Sequence, residues 1–309
     1  MDKKLAFRIE MPMLSAVVES DTPIPYERLM AARPALLWAL EREWTDEQAR
    51  SKGYELEANE NSAWLVLEGE AMVSHDGKKH RAGPGYWMFP KPGRRVQSFA
   101  GPFRFLSVTL QWQWPGGMHL FSEGLTRTLP GEEIPWLETE ARDICSRVAG
   151  ITPDPFYHIG LHSMTLRQAA QLFELAARWA GLYHKTMDHL GVAPDTGINR
   201  DPRIESVLRA LQSECGSPQP DRDRLAGSAG VSPRQLDRLL KEATGKTLME
   251  NHDSFRHENA CRGLLEQGKR VKEVAMETGF QDLPSFSRWF AKRAGCSPRT
   301  FRERFAGKH

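Results

Sequence analysis

A chain of 309 residues is long enough for two domains, each with a sizeable core. Its near-balanced charge of +2 and its four scattered cysteines (Cys145, Cys215, Cys261, Cys296), with no CxxC spacing, exclude a disulfide scaffold and a cysteine-zinc site. No apolar run reaches membrane-span length, and Met1-Asp-Lys-Lys-Leu5 lacks an apolar signal core, so a cytoplasmic protein without membrane contact is expected.

The charge is unevenly placed. Residues 199–309 hold 21 Lys and Arg against 15 Asp and Glu, a net of +6, while the preceding part carries −4. A basic C-terminal domain that meets phosphate backbone, joined to a mildly acidic one that does not, is the functional reading; uneven chance is the bland one.

Residues 1–150 read as strand-rich. Leu36, Trp38, Leu40 and Trp44 alternate with Glu41 and Glu43, the period of a half-buried strand. Tyr54-Glu-Leu-Glu57 alternates too. Ala63 to Leu67 runs into a turn at Glu68-Gly69 and resumes at Ala71 to His75, with Asp76-Gly77 as a hairpin turn. A turn at Gly83-Pro-Gly85, a strand at Tyr86 to Phe89 and a long strand placing Leu106, Val108, Leu110, Trp112 and Trp114 on one face complete a barrel or sandwich.

The order Gly69, Gly83-Pro-Gly85, Phe89-Pro-Lys-Pro-Gly93 resembles the small cupin barrel. In that resemblance a catalytic metal would need histidines, yet Val96 stands at one such place and Asn61 to Met72 holds none. No metal, no cofactor and no enzyme activity are therefore expected, and His75 and His80 read as solvated. A barrel without metal still encloses ligands. Trp64, Trp87, Trp112 and Trp114 are candidates to stack on a sugar, and Arg94 and Arg95 to receive a carboxylate or phosphate. The plainer reading is core tryptophans and solvated arginines.

After Pro153-Asp-Pro155, residues 151–192 form a helical segment. Leu166, Ala169, Leu172, Phe173, Ala176, Trp179, Leu182, Tyr183 and Met187 recur at helical spacing over Met164 to Leu190, about 40 Å of helix. It is read as a homodimer seam through Leu172, Trp179 and Tyr183, so that Trp179→Arg should leave a monomer; packing on its own barrel is the rival. His158 and His162 stand four apart, without the intervening carboxylate of a metalloprotease helix. A Gly- and Pro-rich stretch follows, with the interdomain linker set at 193–199.

Residues 200–305 carry a repeat. Leu225-Ala226 and Gly230-Val231 match Val274-Ala275 and Gly279-Phe280 at an offset of 49; Leu236, Arg238, Leu240 and Gly245 match Phe286, Arg288, Phe290 and Gly295 at an offset of 50. Each copy reads as a short helix, a glycine turn, and a second helix capped by Ser232 or Asp282 with a proline in its first turn. The continuous helix from Thr247 to Glu266, about 30 Å, would separate the two units by nearly the ~34 Å of one DNA turn.

Gly279-Phe280…Phe286-Ser-Arg288-Trp-Phe290-Ala-Lys292…Gly295-Cys-Ser297-Pro298…Phe301-Arg302 resembles the signature of the AraC/XylS family of bacterial transcription regulators. The resemblance implies seven helices in this domain, and an N-terminal cupin-like barrel that binds a small effector, followed by helices that dimerise. It carries base-reading roles onto Arg234, Asp237 and Arg238 in unit one and onto Leu283, Pro284, Ser285 and Arg288 in unit two. Phosphate contacts fall to Lys241, Lys292, Arg293, Arg299 and the helix N-termini. Leu283-Pro284 departs from the polar pair usual there, so unit two reads fewer bases.

The fold expected is an α+β multidomain protein: a cupin-like barrel over 1–150 with following helices, then an all-α double helix-turn-helix domain. The function expected is sequence-specific regulation of transcription on double-stranded DNA, as a homodimer, with RNA polymerase as a further partner and a sugar or organic acid as effector. The alternatives are a barrel that is only a dimerisation scaffold, or a cupin enzyme fused to a DNA-binding domain.

Overall fold

The computed structural model describes residue 24 and residues 26–75, 77–114, 117–152, 158–196, 201–266 and 268–305. Met1 to Leu5, Asp76 of the expected hairpin turn, Pro153-Asp-Pro155 and positions 197–200 lie outside the described residues.

Helix α1 (Tyr26–Ala31) leads into strands β1 (Ala35–Trp44), β2 (Tyr54–Ala58), β3 (Asn61–His75), β4 (Lys78–Ala82), β5 (Tyr86–Phe89), β6 (Gly93–Gln111) and β9 (Arg127–Pro130). These strands make one antiparallel sheet in the order β1-β6-β3-β5-β9, with β2 also on β6 and β4 also on β3. A short pair, β7 (Gln113–Trp114) and β8 (Met118–His119), stands apart, and helix α2 (Asp46–Ser51) joins β1 to β2.

Two strand expectations change. Gly69 is not a turn between strands but a bulge inside the continuous β3, where the register against β6 shifts on either side of Glu68. Its φ is +78°, and a Cβ there would stand 2.6 Å from the Pro102 carbonyl oxygen, so only glycine fits. The long strand begins earlier than expected, at Gly93, and ends before Trp112.

Alternation gives the sheet two apolar faces. Trp64, Val66, Met88, Phe99, Phe103 and Phe105 cluster on one. Ala63, Leu65, Trp87, Leu106, Val108 and Leu110 face the other way, into a core shared with helices α3 (Pro135–Ile151) and α4 (Leu166–His189). Helix α3 lies within the stretch expected to be barrel; its buried row is Leu137, Ala141, Ile144, Cys145 and Val148.

Helix α4 opens on a reciprocal cap between Thr165 and Gln168. Its apolar face is turned inward. Leu172 is 6% exposed, and Trp179 and Tyr183 are fully buried, with Trp179 6.5 Å from Trp87 and Tyr183 6.1 Å from Phe89 between ring centroids. This corrects the seam reading: Leu172, Trp179 and Tyr183 cover the chain's own sheet, because Trp87 and Phe89 present an equally wide apolar surface that must be hidden first.

The expected linker is anchored where it is described. The Asp195 N–H donates to the Leu120 carbonyl oxygen at 2.7 Å, and Trp114 Nε1 donates to the Asp195 carbonyl oxygen at 2.7 Å. Beyond it come seven described helices: α5 (Pro202–Ser213), α6 (Arg222–Ser228), α7 (Pro233–Thr244), α8 (Leu248–Leu265), α9 (Val271–Glu277), α10 (Leu283–Ala294) and α11 (Pro298–Phe305). No described helix is long and apolar enough to cross a membrane.

Candidate nucleic-acid interface

The sequence repeat is a structural repeat. Helices α6 and α9 begin 49 residues apart and α7 and α10 begin 50 apart. Gly230 (φ +64°) and Gly279 (φ +80°) make the two turns, and Gly245 (φ +72°) and Gly295 (φ +67°) end the two second helices in the same left-handed conformation.

In unit one, Ser232 Oγ accepts the Gln235 N–H at 3.3 Å and Pro233 opens the helix, while Leu236 and Leu240 are fully buried. Arg234, Arg238 and Lys241 are left on the exposed side. Arg238 Nη1 donates to Glu242 Oε1 at 2.7 Å, with both side chains about three-fifths exposed. Such a pair is worth only about 0.3–0.5 kcal/mol. A bidentate contact to guanine is worth about 1–3 kcal/mol, so the guanidinium is available to a base edge.

Asp237 is not available in that way. Its Oδ1 accepts the Leu248 N–H at 3.1 Å, and its carboxylate pairs with Arg222. The expected base-reading role is therefore replaced by a joint, in which a carboxylate caps the first turn of α8 and fixes α7 against it.

In unit two, Asp282 Oδ1 accepts the Ser285 N–H at 2.7 Å, and this hydrogen bond holds the Asp282 carboxyl below its ordinary range. Phe286 and Phe290 are buried; Leu283 (40% exposed), Pro284, Arg288 and Lys292 face outward, and Ser285 is half-buried with its Oγ 3.4 Å from Arg288 Nη2. Arg299 is exposed and bonded to Glu303 at 2.9 Å. Arg293, expected on phosphate, instead pairs with Asp253 of α8 and approaches Glu57 of β2 at 4.0 Å.

The element that sequence reasoning passed over is the polar inner face of α8. Arg256 is 7% exposed. It donates from Nε (3.0 Å) and Nη2 (2.7 Å) to the Thr278 carbonyl oxygen, and from Nη1 (3.3 Å) to that of Pro218. Its guanidinium lies 4.4 Å from the Phe280 ring centroid and 5.3 Å from that of Trp289. Asp253 accepts from Trp289 Nε1 at 3.2 Å. Helix α8 thus holds unit two through these charged groups as well as through Ala260 and Leu264, which pack with Val274, Phe286 and Phe290, while Leu248 and Phe255 join the core that includes unit one. The signal was a charged residue beside the apolar stripe, at Phe255-Arg256.

The sheet domain does not gather the expected effector residues. Trp87 is fully buried under α4, Trp64 is 8% exposed within the opposite apolar cluster, and Trp112 is half-buried, its ring centroid 5.6 Å from that of Phe121. Arg94 is exposed but bonded to Glu55 at 2.6 Å. Arg95 is 3% exposed, donates to the Lys91 carbonyl oxygen at 3.3 Å and stacks 5.5 Å from the Trp64 ring centroid. Trp64, Trp87 and Arg95 are all engaged in packing: Trp64 against Phe99 and Arg95 on one face of the sheet, Trp87 against Phe89 and Trp179 on the other. His158 meets Trp38 edge to face (5.1 Å between ring centroids), and burial pushes its imidazole down to about 4.

The two domains touch. Lys246 Nζ donates to Glu57 Oε1 at 2.9 Å, Gln111 Nε2 donates to Glu258 Oε1 at 3.2 Å, and a Cβ at Gly117 would meet the Phe255 ring at 2.8 Å.

Two glycine-turned helix pairs in tandem about one shared helix define a double helix-turn-helix domain, the DNA-binding module of the AraC type. A family model described as a helix-turn-helix domain matches residues 225–304. The chain is 33% identical over 114 residues to the HTH-type transcriptional regulator GlxA of Rhizobium meliloti, covering 37% of this chain and 35% of that protein. It is 25% identical over 216 residues to the MmsAB operon regulatory protein of Pseudomonas aeruginosa, covering 65% and 68%. An apo form of ToxT from Vibrio cholerae shares the fold over 88% of this chain and 96% of that one, with a TM-score of 0.54 and 10% identity. The C-terminal domain is thus of the AraC helix-turn-helix type. The first curated relatives are matched over a third to a half of their own length.

Proposed function

We propose that this chain is a cytoplasmic, sequence-specific DNA-binding regulator of transcription, acting as a homodimer, whose DNA-binding domain answers to a small molecule. The observation that carries the reading is the matched pair of exposed arginines, Arg238 and Arg288, on equivalent helices of a repeated unit. The 18-residue α8 between the units spans about 27 Å, near the spacing of successive major grooves. Contact with RNA polymerase beside the bound promoter would complete the activity.

The test is operator selection from random DNA, followed by binding of Arg238→Ala and Arg288→Ala. Each is expected to lose about 1–3 kcal/mol on the selected site and to relax preference at its own base position. Equal loss on every sequence would make that arginine a phosphate contact, and no selection of any sequence would overturn the reading.

With the inner face of α4 consumed, the homodimer proposal moves to its outer face. Leu166 (85% exposed), Ala170, Phe173 (68% exposed) and Ala177 recur at steps of four, three and four, which suits a second copy of the same helix. Phe173→Arg should give a monomer in sedimentation while leaving the melting temperature of the sheet domain unchanged; a persistent dimer would remove α4 from the interface. The filled interior of the sheet domain favours a second reading, in which that domain is only a scaffold. It gains if no small molecule shifts the melting transition.

A further inference from the structure

The two reading helices differ at their leading ends. At the 50-residue offset of the repeat, Pro233, Arg234, Gln235 and Arg238 of α7 fall on Leu283, Pro284, Ser285 and Arg288 of α10. The arginine one turn in is kept, while the arginine of the first turn becomes a proline. Leu283 is 40% exposed, and among the described residues no other large apolar side chain of α7 or α10 is exposed. A single exposed leucine needs no explanation on an ordinary surface. This one stands at the leading end of a helix whose next turn carries Arg288 outward.

The polar groups around it are engaged. Pro284 has no N–H to give. The Ser285 N–H donates to Asp282 Oδ1 at 2.7 Å, and Ser285 Oγ lies 3.4 Å from Arg288 Nη2. The first turn of α10 therefore presents leucine and proline carbons, where that of α7 presents the exposed guanidinium of Arg234 and the exposed amide of Gln235. In the major groove of unmodified DNA the base edges carry donors, acceptors and a single kind of apolar group, the C5 methyl of thymine. A leucine pressed on a donor or acceptor costs that group its water and returns no hydrogen bond. Pressed on a methyl, it removes apolar surface from water on both sides.

Resting on the reading of a sequence-specific DNA-binding regulator, we propose that Leu283, with Pro284 beside it, makes unit two a reader of a thymine methyl. Leu283 and Arg288 are about 7.5 Å apart along the helix axis, and base pairs stack at ~3.4 Å. The thymine therefore lies about two base pairs from the guanine that Arg288 takes. Unit one, with Arg234 and Arg238, has no such apolar tip. The two halves of the operator thus differ in chemistry, and that difference fixes which way round the domain sits on its site.

The test uses the full chain and the operator selected from random DNA. Arg288→Ala marks the guanine read by unit two. Each thymine of that half-site is then replaced in turn by deoxyuridine, which removes the methyl and leaves the protein untouched. One replacement, about two base pairs from the marked guanine, is expected to weaken binding about fourfold, the worth of one buried methyl-sized group. Leu283→Ala should no longer distinguish thymine from deoxyuridine there, whereas Leu283→Met, of similar volume, should still do so. At the same place the native chain should bind 5-methylcytosine about fourfold more tightly than cytosine, and Leu283→Ala should bind the two equally, which separates the methyl from the thymine O4. Insensitivity of the whole half-site to deoxyuridine overturns the proposal and leaves Leu283 against deoxyribose. A deoxyuridine effect undiminished in Leu283→Ala, or indifference to the cytosine methyl, overturns it too. Any of these results on a selected operator sinks the methyl reading alone; failure to select any sequence sinks the regulator reading and this one with it.

Discussion

Trp179→Ala is expected to lower the melting temperature of the sheet domain by roughly 6–20 °C, without a preceding dissociation step. Trp179 is fully exposed to its own core and not to solvent: it packs against Trp87 in a row with Leu172, Leu175, Ala176, Tyr183 and Met187. Truncating a buried tryptophan costs about 3–5 kcal/mol in lost transfer energy and residual cavity. That is a large part of the ~5–15 kcal/mol by which a domain is stable. For a domain of this size each kcal/mol moves the midpoint by about 2–4 °C. Scanning calorimetry with sedimentation in parallel separates the two roles of α4. A seam residue would change the sedimenting species and spare the transition; a core residue does the reverse. Should Trp179→Ala give a stable monomer, the assignment of the inner face to the sheet is wrong.

What could be read from the sequence follows the range of the interactions involved. The double helix-turn-helix was legible because its punctuation is local. Gly230, Gly245, Gly279 and Gly295 take positive φ for backbone reasons, and Ser232 and Asp282 cap amides three residues on. The strands were legible from alternation, but Gly69 was misplaced. A glycine at a turn and one at a bulge look alike until the carbonyls of Ala100 and Pro102 are brought against it from β6. Helix α3 carries its period in Leu137, Ala141, Ile144 and Val148, yet it falls inside the 1–150 stretch whose fold class was set by the strands that precede it. For α4, periodicity revealed an apolar face but not its partner. The same limit applies to Asp237, which lies on the outer side of its helix yet is engaged by the Leu248 N–H of the next one.

Gly279→Val should abolish the contribution of unit two to DNA binding, with specific affinity falling by about two orders of magnitude and protection lost over one half-site only. Two costs add. A non-glycine residue held at φ +80° is strained by roughly 1–2 kcal/mol. A Cβ would also stand 2.6 Å from the Gly216 carbonyl oxygen and 2.9 Å from the Pro218 nitrogen, both backbone atoms that no rotamer change can move. Relief requires the turn and the 216–218 segment to part. Arg256 bonds the carbonyl oxygens of Thr278 and Pro218 on either side of that contact. Parting them strips a buried guanidinium of its acceptors, a loss on the scale of about 3–5 kcal/mol. The equivalent glycine of unit one supplies the control. Gly230 has φ +64° but nothing within 4 Å of a built Cβ, so Gly230→Ala bears the conformational cost alone and should weaken binding only a few-fold. Footprinting both variants on the selected operator decides the matter. If Gly279→Val still protects both half-sites, the Arg256 joint does not hold the second reading helix in place.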